Sequence, residues 1–254
     1  MILVGPYAAM LLLALGLPLT MACVGGIAAA ALAGVATEIL IYSPMQSRSG
    51  SPLALLIASL GAYIVLQNLV AIIFGNETIT LTGGEAIFAP IRAFGVVLTF
   101  PQLLSLAACV VSLGFLSYAI TATDFGRSVR AISSDPDLAH ARGVDVSRAR
   151  LASMAVGSAL AGLAGILIAL DVNMVPTMGL RVLLMSIVAV IVAGSSGEIR
   201  VFAIVIGAVI VAGLEDVGIV VLPLQWRDTA IFGALVFYLL FRPQGTLTPR
   251  ARSV

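Results

Sequence analysis

Residues 123–150 read TDFGRSVRAISSDPDLAHARGVDVSRAR. They hold five of the thirteen basic residues and four of the twelve acidic ones, and long apolar runs flank them on both sides. The remaining 226 or so residues are therefore poorer still in charge than the chain as a whole. The chain is 61% hydrophobic and 10% charged, against roughly 25% charged in soluble domains. So few charges cannot cover a globular surface. Lipid is the solvent that suits the chain, and only helices or closed barrels satisfy the backbone there. The apolar runs are continuous rather than alternating, which selects helices over a barrel. The expected fold is all-α: a polytopic transmembrane bundle in one domain, residues 1–254, with residues 123–150 as a polar loop inside it.

At roughly 20 residues per crossing, about eight apolar segments are expected. They lie near 2–17, 19–42, 51–74, 100–122, 150–171, 180–195, 199–221 and 227–241. The first and sixth are short for a crossing. The opening residues carry no basic stretch, so no cleavable signal peptide is expected. Residues 75–99 fit an outer loop, or a loop with a re-entrant helix.

All thirteen basic residues are arginine. Arg48, Arg200, the five of the polar loop and the tail's Arg242, Arg250 and Arg252 fall on one face if the spans alternate. Arginine near span ends marks the cytoplasmic side. The other face receives Glu77, Glu85, Asp171, Glu215, Asp216 and Asp228 against fewer arginines, as an outer face should. The absence of lysine also excludes a phosphate-binding P-loop, which needs GxxxxGK[ST]. If ATP drives this protein, another chain hydrolyses it. Net charge is +1, and nothing points to nucleic acid. No nucleophile–base or metal-ligand constellation appears: His140 stands alone and Cys23 and Cys109 lie in apolar runs. No catalytic residue and no metal are expected.

The polar loop has its own helix grammar. Thr123 or Asp124 can cap a short helix starting near Phe125. Asp135 caps a second, with Pro136 in its first position. Gly143 terminates it, and Asp145 and Ser147 cap the next span. Leu138, Ala139 and Ala141 give a small apolar face. Nearly thirty residues exceed what a simple connection needs, so the loop suits a peg offered to a soluble partner.

Within the spans, Gln67 and Asn68 are costly in lipid unless they pair or line a wet path. They fit a translocation path or its gate, and equally an interhelical hydrogen bond. Glu38 fits a snorkelling or capping role at the cytoplasmic end of its span. Asp171 and Arg181 fit an outer-face pair, a contact with an external partner, or interfacial anchors. In AVGSALAGLAG (residues 155–165), Gly157 and Ala161, Ser158 and Gly162, and Ala161 and Gly165 are each four apart, a spacing that lets helices approach closely. Gly207 and Gly213 are a weaker version.

The stretch GRSVRAISSDPDLAHARGVDVSRARLASMAVGSALAGLAGIL resembles the cytoplasmic coupling loop and following span of bacterial ABC importer permeases of the branched-chain amino acid type. Gly126, Arg127, Arg130, Ala131, Asp135, Ala139, Gly143, Val144 and Arg148 fall on that pattern, as do Ala161, Gly162, Ala164 and Gly165. TEILIYSPMQSRSGSPLALLIASLGAYIVLQN is similar to the family's ERxxxRP turn and LQN span, with Glu38 and Pro44 matching and Ser43 in place of an arginine. RPQGTL is similar to the family's RPxGLxG ending. The family usually opens with a further span, and this chain starts just after it. The segment order is that of the shorter of the two paired permeases.

The resemblance implies a transport subunit rather than an enzyme. It implies a second permease, hetero- or homodimeric, two ATP-binding subunits holding ATP and Mg, and a periplasmic binding protein. It implies multi-pass residence in the bacterial inner membrane, with the coupling loop and C-terminus cytoplasmic. Asp124, Gly126, Arg127, Arg130, Ala131, Asp135, Pro136, Ala139, Gly143 and Val144 would couple to the ATPase. Other cargo on the same machine, such as urea, short amides or a sugar, and an ATP-independent channel or carrier remain alternatives.

Overall fold

A computed structural model describes residues 1–47, 51–79, 81, 91–93, 96–193, 201–221 and 233. These fall into two compact units, Met1–Gly179 and Leu180–Val254.

In the first unit, α1 spans Val4–Ala14 and α2 spans Leu19–Thr37. Pro18 precedes α2 in extended conformation, as a proline that cannot continue the helix before it requires. The end of α2 widens into a π-helical turn, Glu38–Tyr42, and continues as α3, Ser43–Ser47. α4 runs over Pro52–Phe74, capped by the Ser51 hydroxyl on the Ala54 amide with Pro52 in the first turn. α5 covers Phe100–Ala122, and the Thr99 amide donates to Gln102 Oε1 at 3.2 Å. α6 (Asp124–Ser134) and α7 (Pro136–Ala141) form the polar loop, and α8 spans Val146–Asp171.

Among the described residues, four helices are long and apolar enough to cross a membrane: Leu19–Gln46, Leu53–Phe74, Phe100–Ala122 and Val146–Asp171. Val4–Ala14 is shorter. At 1.5 Å per residue its 11 residues reach about 16 Å, half of a roughly 30 Å hydrocarbon core. The described part of residues 75–99 is extended, not helical. β1 (Ile91–Ala93) and β2 (Val96–Leu98) pair antiparallel with Ile91 opposite Leu98. Ile79 bridges Met174 through backbone hydrogen bonds of 3.0 and 2.9 Å.

In the second unit, α9 (Met178–Ala193, begun in the first) and α10 (Val201–Val221) are helical where apolar spans are expected. Val188, Ala189 and Val211 form their buried cluster. A Cβ on Gly207 would lie 2.5 Å from the Ala189 carbonyl oxygen, whereas one on Gly213 would meet nothing within 4 Å. The expected eighth span, residues 227–241, lies outside the described residues save Gly233, as do Arg48, Arg200 and the arginines of the tail.

The core of the first unit is a three-helix packing of α1, α2 and α8. The buried positions of α2 are Ala22, Gly26, Ala30 and Gly34, every fourth residue. Those of α8 include Ser158, Gly162 and Ile166, again four apart, with Gly165 and Ala169 beside them. A four-residue stripe runs along one helix face, and small side chains on both stripes bring the backbones together. A Cβ on Gly162 would overlap that of Ala30, and one on Gly34 would overlap the Ser158 side chain. α1 closes on both: a Cβ on Gly5 would be 2.6 Å from the Gly162 carbonyl oxygen, and one on Gly26 would be 2.5 Å from that of Gly5. Dispersion over such a seam holds helices together in lipid, where the hydrophobic effect gives nothing between helices.

An adjoining apolar cluster joins Leu3, just before α1, and Tyr7 and Ala9 of α1 to Val70 of α4, Ile166 and Ala169 of α8, and Met174. Elsewhere α4 and α5 turn large apolar side chains outward, among them Ile64, Val65, Ile72, Val110, Val111 and Phe115. Such faces suit lipid or another apolar surface, not water.

Candidate functional site

The polar loop folds as its grammar predicts. Thr123, not Asp124, is the N-cap of α6: its Oγ1 accepts from the Gly126 amide at 3.2 Å and donates to the Ala119 carbonyl at 2.5 Å. One hydroxyl thus ties the end of α5 to the start of α6. Asp124 occupies the first turn, where a carboxylate suits the helix dipole, and forms an exposed ion pair with Arg127 at 2.5 Å. Gly126 is buried at the same corner, where a Cβ would strike the Ile120 backbone carbonyl. The sequence pattern names Gly126, and its reason is this close approach of backbone to backbone.

Asp135 ends α6 in extended conformation and caps α7, its Oδ1 accepting from the Leu138 amide at 3.0 Å. Pro136 begins α7. Gly143 ends it with φ +83°, and the Val144 amide reaches back to the Ala139 carbonyl at 3.1 Å. This is the left-handed closure that favours glycine. Asp145 then caps α8, accepting from the Arg148 amide at 3.1 Å and pairing with Arg148 Nε at 3.0 Å. Ala139 is buried while Leu138 beside it is half exposed. The loop therefore packs one apolar residue inward and keeps another outside. Arg130 and Ala131 are partly buried on α6. An open groove of about 640 Å³ follows α7, lined by His140, Gly143, Val144, Asp145, Val146, Ser147 and Arg150.

The other sequence candidates fall elsewhere. Asn68 is exposed, and its Nδ2 donates to the Ile64 carbonyl of its own helix at 2.8 Å. Gln67 is half-buried, on the α4 face that also carries Tyr63, Val70 and Phe74. The two neighbours therefore point to different surroundings. Thr99 Oγ1 donates to Asp171 Oδ1 at 3.4 Å, joining the start of α5 to the end of α8. Of the small residues in residues 155–165, Gly162 and Gly165 lie in the α1–α2–α8 seam and Ala161 is half-buried, while Gly157 is exposed with nothing within 4 Å of a Cβ. Sequence reasoning missed the partner stripe, Ala22–Gly26–Ala30–Gly34. Its signal was present as a four-residue repeat of small residues, but alanine fills that span on every face.

A structured polar loop between two long apolar helices suits a subunit embedded in a membrane. The family model for the permease component of the branched-chain amino acid transport system matches residues 1–241, and the chain belongs to that family. It is 28% identical over 218 residues to the high-affinity branched-chain amino acid transport system permease protein BraD of Pseudomonas aeruginosa, covering 84% of this chain and 69% of that one. It is 26% identical over 228 residues to the corresponding protein LivH of Escherichia coli, covering 88% and 72%. The xylose transport system permease protein XylH of Haemophilus influenzae is 31% identical over 142 residues, 54% of this chain and 37% of its own length. No solved structure matches.

Proposed function

We propose that the chain is the membrane-spanning permease subunit of an ATP-driven importer for branched-chain or other small amino acids, with residues 123–150 as its coupling loop. The observation that carries this is the loop itself. Two short helices, capped by Thr123 and Asp135 and closed at Gly143, stand between two helices long enough to cross a membrane. Branched-chain amino acids are the preferred cargo because the relatives named for them match over four-fifths of the chain, while the xylose relative matches about half.

In this reading two permeases pair, and two ATP-binding subunits dock on α6 and α7 from the cytoplasm. ATP and Mg sit on those partners, an arrangement that a chain without lysine fits. A periplasmic binding protein delivers the amino acid to the opposite face. The chain lies in the inner membrane with about eight crossings, its loop and C-terminus cytoplasmic. ATP-driven closure of the partner dimer moves the α6–α7 peg, and α8, capped directly after it, carries the movement inward. Gln67, half-buried on α4, is the better path candidate of the polar pair.

The test is co-purification. Asp135→Arg, or Gly143→Val at φ +83°, leaves membrane insertion intact and abolishes capture of the ATPase. Wild-type recovery of the ATPase and wild-type leucine uptake in both variants would sink the coupling assignment.

A further inference from the structure

The groove that follows α7 holds a cation that no ion pair answers among the described residues. The ion pairs of the loop are Asp124 with Arg127 and Asp145 with Arg148. Neither includes Arg150, which lines the groove and whose Nε is buried without a hydrogen-bond partner. A buried donor left so is costly, and a ligand with anionic oxygens removes that cost through charge-assisted hydrogen bonds. Asp145 also lines the groove, but its carboxylate is engaged: it accepts from the Arg148 amide at 3.1 Å and pairs with Arg148 Nε at 3.0 Å. His140 and Ser147 are exposed on the lining, and each can donate a further hydrogen bond. The other side of the lining is apolar, with Val144 and Val146 half-buried beside the polar groups. The volume of about 640 Å³ lies within the roughly 300–1,000 Å³ of small-molecule sites. All of this sits at the start of α8, a helix long and apolar enough to cross a membrane.

We propose that this groove binds the phosphate of an anionic membrane lipid, with Arg150 as its charged contact and His140 and Ser147 as further donors. Basic pockets at the cytoplasmic ends of spans attract anionic headgroups. The mixed lining favours a lipid over a free phosphate. A lipid sets its phosphate against Arg150 and its glycerol and first methylenes against Val144 and Val146, whereas a soluble anion leaves the valines facing water. The bound lipid then ties the loop to the surface of the leaflet. The placement of the loop at that surface rests on the permease reading above; the binding itself requires nothing of the cargo.

The experiment uses the complete complex in detergent, titrated with phosphatidylglycerol, phosphatidylcholine or inorganic phosphate, with retained lipid counted by native mass spectrometry. Wild type retains phosphatidylglycerol in preference to phosphatidylcholine, and inorganic phosphate does not displace it. Arg150→Gln weakens retention about tenfold or more, the effect of one lost charge-assisted hydrogen bond. Arg142→Gln removes the same charge from an exposed loop position outside the groove and stays within about twofold of wild type, as a screened surface charge should. Equal losses in the two variants indicate diffuse surface charge and overturn the site. Displacement of the lipid by inorganic phosphate makes the groove a soluble-anion site and overturns the lipid assignment. So does loss of ATPase capture in Arg150→Gln with lipid retention unchanged, which assigns the groove to the partner. Should Arg150→Gln fail to accumulate, His140→Ala, at an exposed position, lowers retention about threefold, and unchanged retention there overturns the proposal. Absence of the lipid preference in a wild-type complex with normal ATP-driven leucine uptake overturns this inference alone. Absence of uptake with the lipid preference intact overturns the permease reading and leaves the site standing.

Discussion

Gly162→Ala is the sharpest probe of the three-helix seam, because its neighbours separate cause from effect. A Cβ at 162 overlaps Ala30 Cβ, while the next atoms, the Gly26 carbonyl oxygen and Gly5 Cα, are already at an ordinary 3.8 Å. α2 and α8 must therefore part by about 1 Å, a gap that forfeits a quarter to a half of each dispersion contact. A seam of this length holds on the order of 50 close atom pairs at about 0.1–0.2 kcal/mol each, so the loss is about 3 kcal/mol. Alanine returns about 1 kcal/mol through helix propensity. The net cost is about 2 kcal/mol, or a fall of about 4–8 °C in melting temperature for a chain of this size. Thermal unfolding of the detergent-solubilised protein measures it. Ala30→Gly in the same chain removes the one overlapping atom and restores most of the loss. Gly165→Ala, which strikes the Ile2 backbone carbonyl, has no such side-chain remedy. Gly157→Ala, with nothing within 4 Å, is neutral or raises the melting temperature slightly. The reasoning is refuted if Gly162→Ala melts with wild type, or if Ala30→Gly fails to rescue it.

Other perturbations test the loop and the Thr99–Asp171 contact. Thr123→Val removes the N-cap hydroxyl and its bond to Ala119. It costs about 1 kcal/mol, and faster amide exchange confined to the first turn of α6 is the expected sign. Gly126→Ala drives a Cβ into the Ile120 carbonyl and lowers yield in the membrane, whereas Gly143→Ala costs about 1 kcal/mol through its positive φ alone. Equal yields for both variants would contradict that ranking. Asp171→Asn keeps an acceptor for Thr99 and leaves the melting temperature within about 1 °C, while Thr99→Val lowers it by a few degrees at most.

The loop was the most legible part of the chain because its signals are local. Threonine, aspartate, proline and glycine each act on the backbone within three or four residues, so Asp135–Pro136 and Gly143 identify helix ends without reference to tertiary structure. Thr123 and Asp124 were a tie in sequence; the tie broke when the Thr123 hydroxyl proved able to serve both helices. The seam is the opposite case. α2 is apolar all round, so periodicity marks no inward face. Of four similar small positions in α8, only pairing with α2 and α1 distinguishes Gly162 from Gly157. The first span shows the same limit, since apolar composition over residues 2–17 yields a helix of 11 residues. The π-helical turn at Glu38 has no sequence marker at all.

The two kinds of structure bear on one mechanism. A loop that grips its own helix ends through caps at Thr123, Asp135 and Asp145 moves as a unit, because each short helix is fixed to the next within one or two residues. A movement passed to α8 then meets the α2 stripe. That stripe is interlocked, Ala30 seating against Gly162 and Ser158 against Gly34, so it passes a displacement on instead of absorbing it by repacking. The same closeness that makes Gly162→Ala expensive opposes sliding of α8 along α2, so that the two helices carry a displacement together. Variants that widen the seam, Gly34→Ala among them, should uncouple transport from ATP hydrolysis before they unfold the protein. Were uptake and melting temperature to fall in strict proportion across Gly34→Ala, Gly162→Ala and Gly165→Ala, the seam would be a scaffold and nothing more.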